Sequence, residues 1–249
     1  MRKTKIEYLT HTWNPIAMRC TPISDGCKNC WHLGVVDRFN LNNNGTRLRV
    51  KELAAPLKRK KPAVIGVQFM GDLWHESVPF EFIIKIFRVM QQTPQHTYLV
   101  LTKRSERMLQ FVGMDRVYLP NVWLGVTAEN QETAEKRIPI LLQTPAAVRF
   151  VSVEPMLSHI YLHELFGKTK FVPNWVLCGC ESGANRRPCK TEWMQSIVNQ
   201  CKDANVPVFV KQVSVDGKVN KDMQDWQEGL RVRDFPNSNN PALVEISND

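Results

Sequence analysis

Short apolar runs alternate along this chain with longer stretches in which apolar residues recur every three or four positions. Val64–Phe69, Thr97–Thr102, Asn121–Thr127, Val148–Val153, Trp175–Cys178 and Pro207–Lys211 are runs of the first kind, rich in β-branched and aromatic residues, and each reads as a buried strand. Between them, Pro79–Gln92, a short stretch after Ser105, Gln131–Gln143 and a stretch from Thr191 carry the helical period. Pro79 suits a first helical turn, and Thr191 suits an N-cap ahead of Trp193, Met194, Ile197, Val198 and Cys201 on one face. Pro139 is expected to kink or divide its helix. Nearer the start, Ile6–Trp13 reads as a first strand, and Trp31–Asn40 as a helix weakened by Gly34. Asn42–Gly45 reads as a turn.

Strands alternating with amphipathic helices form βα units on a parallel sheet, so the fold class is α/β. The pattern yields about seven strands, one short of a closed eight-stranded barrel. The rhythm stops after Gln212. Residues 1–212 are expected to form the main body, and 213–249, with Asp216-Gly217, Gly229 and Pro236–Pro241, a loosely packed appendage with an irregular tail.

Composition narrows the setting. The chain has 249 residues, 43% hydrophobic, which suits one α/β domain with a full core. No run of about 18 apolar residues is present, so no membrane span is expected. The start lacks the apolar stretch of a signal peptide, and the seven cysteines are an odd number without secretory context. A reducing cytoplasm is the expected setting. The formal net charge is +9, and Arg47–Lys61 concentrates seven basic residues against Glu52 alone. A patchy positive surface suits a polyanion such as nucleic acid or a nucleotide, although a solvated basic loop has the same appearance.

The stretch Cys20–Cys30 carries the strongest chemistry. Three thiols stand at C-x6-C-x2-C spacing among Pro22, Ser24, Asp25, Gly26 and Asn29, which are loop residues. A loop can bend several thiolates toward one place, and soft thiolates select zinc or iron–sulfur clusters. A structural zinc site needs a fourth ligand, for which His11 or His32 is a candidate. A cluster held by three cysteines instead leaves one iron open to substrate or cofactor. Cys178, Cys180, Cys189 and Cys201 read as small core residues. No Walker-type phosphate loop is present, and at Gly179–Gly183 the nucleophile position of a serine-hydrolase elbow is occupied by Glu181.

The clustered cysteines at the head of an α/β chain resemble the radical SAM superfamily, whose common spacing is C-x3-C-x2-C; here the first gap is wider. A second resemblance rests on Trp13-Asn14-Pro15, Ser24–Cys30, Asn121–Thr127, Arg149–Pro155 and Gly179–Gly183, in that order. Together these resemble a phage-associated family of radical-SAM-like proteins, over a span from about Tyr8 to Gln212. The resemblance implies a partial or near-complete TIM-like parallel βα barrel of radical SAM type. It implies a [4Fe-4S] cluster on Cys20, Cys27 and Cys30 that cleaves S-adenosylmethionine, the resulting 5′-deoxyadenosyl radical taking a hydrogen from substrate, with flavodoxin or ferredoxin as electron donor. It places Gly71 and Asp72 near the methionine end of that cofactor.

In βα folds the loops after the strands carry the chemistry. Here those positions are Asn14, Gly71-Asp72, Lys103-Arg104, Thr127 with Glu129, Glu154, Glu181-Ser182 and Lys211-Gln212. Glu154 or Glu181 is a candidate for ribose hydroxyls. Lys103 and Arg104 are candidates for a substrate phosphate, with Lys211 as a further substrate contact. The expected function is a radical SAM enzyme that rearranges or modifies a nucleotide or DNA base. The alternative is a zinc- or iron–sulfur-stabilised nucleic-acid-binding protein without catalysis.

Overall fold

A computed structural model describes residues 1–41, 45–115, 118–166, 171–183, 185–236 and 243. Its main sheet has nine strands: β1 (Arg2–Lys3), β2 (His11–Trp13), β5 (Val64–Val67), β6 (Thr97–Thr102), β7 (Val122–Thr127), β8 (Val148–Val153), β9 (Trp175–Gly179), β10 (Val208–Val215) and β11 (Lys218–Asn220). A small antiparallel pair, β3 (Ile16–Ala17) with β4 (Arg47–Leu48), stands beside it. From β2 to β10 the seven strands lie parallel and in chain order, and β1 and β11 add antiparallel edges. Among the described residues the sheet does not close on itself.

The helices with described bounds are α1 (Trp31–Arg38), α2 (Phe80–Gln91), α3 (Ser105–Asp115), α4 (Gln131–Gln143), α5 (Leu162–Phe166) and α6 (Thr191–Asp203). Because neighbouring strands follow in chain order and parallel crossovers are right-handed, successive helices are laid on the same face. The core divides accordingly. One apolar cluster joins the outward strand residues to the helices, for example Ile65, Val100, Leu124 and Val151 with Ile83, Phe111, Ile138 and Ile197. The other lies on the opposite face and contains no residue of the six helices.

That second cluster is built around Trp175. Its ring meets Tyr8, Trp123, Phe150, Phe209 and Phe235 at centroid distances of 5.8, 5.9, 6.1, 6.2 and 5.5 Å. Tyr8 precedes β2 and Phe209 lies on β10, yet their rings are 5.7 Å apart. The sheet is therefore curled, and aromatic side chains fill its concave face. Gly125 on β7 makes room for this filling: a Cβ there would stand 2.4 Å from the Phe150 ring.

Most elements fall where the pattern predicts them, with several differences. Only His11–Trp13 of the expected first strand pairs in the sheet; Leu9 N–H donates to the Ile6 carbonyl, and this turn carries Tyr8 and Leu9 to the concave face. α4 runs unbroken through Pro139, entered by an Asn130–Thr133 capping box and held by buried Ala134, Ile138, Leu141 and Leu142. At α6 the N-cap is Lys190, and Thr191 is the first helical residue. β10 extends to Val215, beyond the expected boundary at 212/213. The segment after it is well packed: Trp226 and Leu230 join the helix-side core, Asp234 N–H donates to the Val208 carbonyl, and Phe235 covers Trp175. Turn-forming residues there separate strong apolar anchors. Most of the expected turn at 42–45, and the tail beyond Pro236 except Leu243, lie outside the described residues.

The close approach at Gly125 yields a test. Gly125→Ala should overpack the concave face and destabilise the protein by about 1–3 kcal/mol. Thermal unfolding that matches wild type would show that the Phe150 ring moves aside without cost.

Candidate functional site

The loop from Met18 to Cys30 leaves β3 and crosses the C-terminal edge of the parallel strands. It has little regular structure of its own. Asp25–Cys27 makes a single 3₁₀ turn, Cys27 N–H donates to the Ser24 carbonyl at 2.9 Å, and Cys30 N–H donates to the Cys27 carbonyl at 3.3 Å. Cys30 then caps α1. All three thiols are free and partly exposed. They line one cavity of about 220 Å³, enclosed between this loop and the strand ends. The Cys20 thiol is pushed up to about 11, chiefly by burial.

The strand ends hold the loop in place. After β6, Arg104 donates through Nη2 to the Thr21 carbonyl at 3.3 Å, and its Nη1 lies 3.9 Å from Cys20 Sγ. After β7, Glu129 accepts from Gly26 N–H at 3.3 Å. Gly26 must lack a side chain, because a Cβ would stand 2.9 Å from that carboxylate. After β9, Glu181 accepts from Asn29 Nδ2 at 3.0 Å. After β5, His75 Nε2 bonds Thr21 Oγ1 at 2.9 Å. Gly71 lies below the start of the loop at φ +130°, where a Cβ would meet Met18 Sδ at 2.6 Å.

Each charged anchor is itself paired. Asp72 accepts from Arg104 Nη1 at 3.1 Å, from Thr102 Oγ1 at 2.8 Å and from Trp74 N–H at 2.9 Å. Arg104 Nε also donates to Glu76 at 2.8 Å. Glu129, fully buried, accepts from Arg137 at 2.8 Å. Burial alone would raise the Glu129 carboxyl; Lys103 and Arg137 outweigh it and hold it below the usual range. Glu181 accepts from Arg187 at 2.6 Å and is likewise held low against the effect of burial.

All ten candidate residues line the same cavity: the three cysteines, Gly71, Asp72, Lys103, Arg104, Glu154, Glu181 and Lys211. Three of them are engaged within the protein. The bonding capacity of Asp72, Arg104 and Glu181 is spent on one another's neighbourhoods and on the loop. A saturated carboxylate has little left for a cofactor amine or ribose, and a guanidinium shared by Asp72 and Glu76 has little for a phosphate. These three are positioning residues. Lys103 lines the cavity and has no ion pair within 4 Å among the described residues, its charge acting on the Glu129 carboxylate. Glu154 binds Lys211 Nζ at 2.8 Å through one oxygen, while its other oxygen is buried without a partner. Burial would lower Lys211, but Glu154 outweighs it and holds the ammonium above its ordinary value.

Of the two proposed fourth ligands, His32 lines the cavity, with Nε2 bonded to the Met18 carbonyl at 3.1 Å, whereas His11 does not. Cys178, Cys189 and Cys201 are buried among apolar side chains, and Cys180 lies buried at the cavity margin. Among the described residues, no three His, Cys, Asp or Glu side chains are grouped to hold a single metal ion. The strand-end pattern pointed to Glu129 and Gln212 without a role for either. It missed Gln68, which at φ +55° bonds both the N–H and the carbonyl of Ile16, and Asn29. Only the inclusion of Asn29 in the cysteine stretch could have marked it.

The basic segment is also divided. Arg47 and Leu48 pair with Ala17 and Ile16, and Arg49 N–H donates to the Pro15 carbonyl, so this part adjoins the cysteine-loop edge. Lys58–Lys61 instead precede β5; there the Arg59 carbonyl accepts from Gln95, just ahead of β6. They stand at the opposite, N-terminal edge of the sheet.

The molecule is thus an α/β protein with a largely parallel sheet and a cysteine-lined cavity at its C-terminal edge. The chain belongs to the family described as protein of unknown function (DUF5131), whose model matches residues 3–234. No curated protein and no solved structure gives a significant match. Among the described residues no helix is long and apolar enough to cross a membrane.

Asn29 tests the anchoring. Its Nδ2 bonds Glu181 at 3.0 Å and the Asn185 carbonyl at 2.7 Å, so Asn29→Ala should release the loop locally. Alkylation of Cys27 and Cys30 should accelerate several-fold, while global stability falls by only about 1–2 kcal/mol. Unchanged alkylation rates would mean that other contacts hold the loop.

Proposed function

We propose that this protein is a radical-SAM-like enzyme that holds a [4Fe-4S] cluster on Cys20, Cys27 and Cys30 and acts on a nucleotide or DNA base. The observation that carries the reading is the convergence of the three thiols and the strand-end polar residues on one cavity. A sheet of seven parallel strands in chain order, curled around an aromatic face, suits a partial barrel of radical SAM type. Cys20, Cys27 and Cys30 line one cavity and offer the soft thiolates that would hold an iron–sulfur cluster there. Bound there, the cluster would supply one electron for cleavage of the sulfonium carbon–sulfur bond of S-adenosylmethionine, itself drawing on flavodoxin or ferredoxin.

The chain's own residues contribute position and exclusion of water. Arg104, Glu129 and Glu181 hold the thiol-bearing loop against the sheet, and the positive charge of Arg104 beside Cys20 offsets part of the burial that raises that thiol. Gly71 lets the backbone after β5 pass close below the loop. Lys103 offers an ammonium to a phosphate at the cavity mouth, and Glu154 offers a free carboxylate oxygen to a hydroxyl or N–H.

Anaerobically purified protein should contain about four irons and four sulfides per chain, and when reduced should yield 5′-deoxyadenosine from S-adenosylmethionine. Cys20→Ala, Cys27→Ala or Cys30→Ala should each abolish cleavage, whereas Cys178→Ala or Cys201→Ala should leave the iron in place. Stoichiometric zinc after growth with ample iron would overturn the reading in favour of a binding protein without catalysis.

The nucleic-acid part has its own test. Binding to DNA should weaken linearly on a log–log plot against salt. Arg47→Ala with Arg49→Ala should flatten that slope, and alanines at Lys58–Lys61, on the far edge, should not. Equal effects from both sets would indicate diffuse charge attraction without a route to the cavity.

A further inference from the structure

The floor of the cavity between β8 and β10 contains three buried polar atoms without partners. Ser152 Oγ, Glu154 Oε1 and Gln212 Oε1 belong to residues that line the cavity, and none has a hydrogen bond. Ser152 is fully buried, and Gln212 is 2% exposed. Gln212 is held by its own Nε2, which donates to the Cys180 carbonyl at 2.8 Å, so its oxygen is presented in a fixed direction. Glu154 is held by Lys211 at 2.8 Å, which likewise leaves one oxygen over. A buried polar group left unpaired costs about 1–3 kcal/mol, and three beside one cavity are well explained by a ligand that completes them.

The three atoms share a chemistry. Two can only accept a hydrogen bond, and the hydroxyl can accept as well. The charge of Lys211 is already matched by Glu154, and that of Glu181 by Arg187. An anion entering here would face the Glu154 carboxylate, and a cation would face the Lys211 ammonium. Apolar surface from Tyr8, Phe69 and Leu101 lies alongside. We infer that this floor is a recognition subsite for an uncharged group carrying at least two N–H or O–H donors, and that Lys211 orients Glu154 and does not bind phosphate. A carboxamide and a sugar diol both present such donors. The inference concerns the same cavity as the proposed function and deepens it by naming what the sheet side of that cavity accepts.

The full chain, purified anaerobically, should be titrated by NMR with nicotinamide, with D-ribose and with inorganic phosphate. Nicotinamide or ribose should bind and shift signals from the cavity floor, the stronger of the two identifying the source of the donors, and phosphate should not displace it. Ser152→Ala removes one acceptor with little change in packing and should weaken the bound probe about fivefold. Binding of neither uncharged probe, displacement by phosphate, or an unchanged affinity in Ser152→Ala would each overturn the inference. The wild-type comparison stands even if the variant folds poorly. Cleavage of S-adenosylmethionine is measured on the same preparation. Probe binding without iron or cleavage would remove the proposed function alone, and cleavage without probe binding would remove this subsite alone.

Discussion

A loop that carries three thiols and almost no secondary structure has to be held from outside, and that requirement organises the site. The loop has few backbone hydrogen bonds of its own. Its fixed points come from the ends of four strands: His75 after β5, Arg104 after β6, Glu129 after β7 and Glu181 after β9. Three of these are charged and largely buried, and each is compensated nearby, Arg104 by Asp72, Glu129 by Arg137 and Glu181 by Arg187. Buried ion pairs often add little net stability, because desolvation offsets the attraction. Here their value is geometric. Breaking one leaves an uncompensated charge, so each pair resists rearrangement and transmits the rigidity of the sheet to the loop.

The sheet supplies that rigidity in two layers. On one face the helices close over the outward strand residues; on the other, Trp175 and the rings around it fill the curl of the sheet. With the curl filled, the cysteine-lined cavity stands at the C-terminal edge. Its floor is formed where the strands cease to be apolar, at Ser152, Glu154, Lys211 and Gln212. Stability and chemistry therefore occupy successive positions on the same strands, and the polar residues rest on a packed base that cannot give way beneath them.

Much of this could be read in order along the chain. The strands from β6 to β9 and the helix α4 lie at or within a residue of the positions expected from periodicity, because those segments bury a regular pattern against a regular neighbour. Most of the strand-end residues line one cavity with the three cysteines, since a parallel βα chain brings every strand out at the same edge; Asn14 and Glu129 do not line it. Individual duties were not legible. Asp72, Arg104 and Glu181 look like ligand-binding residues in a linear list, and only their mutual distances reveal that they are occupied. Asn29, Gln68 and His75 act through one or two bonds to residues far away in sequence, which leave no periodic trace. The segment after Gln212 looked loose because its turn residues are conspicuous, while Trp226, Leu230 and Phe235 are too widely spaced to form a pattern.

By itself, the sequence determined the alternation of strand and helix, the C-x6-C-x2-C loop and the set of polar residues at the strand ends. These depend on local period and on residue chemistry, both of which are written in neighbouring positions. The tertiary structure alone decided that the sheet curls without closing among the described residues, that the basic segment is divided between opposite edges, and which polar atoms remain without partners. The physical reason is that a hydrogen bond or an ion pair is satisfied by whatever stands within about 3 Å, and folding chooses that neighbour from anywhere in the chain. Glu154 and Glu181 follow equivalent strands and are the same residue type. One is consumed by Arg187 and Asn29, and the other keeps a free oxygen, because different loops pass over them.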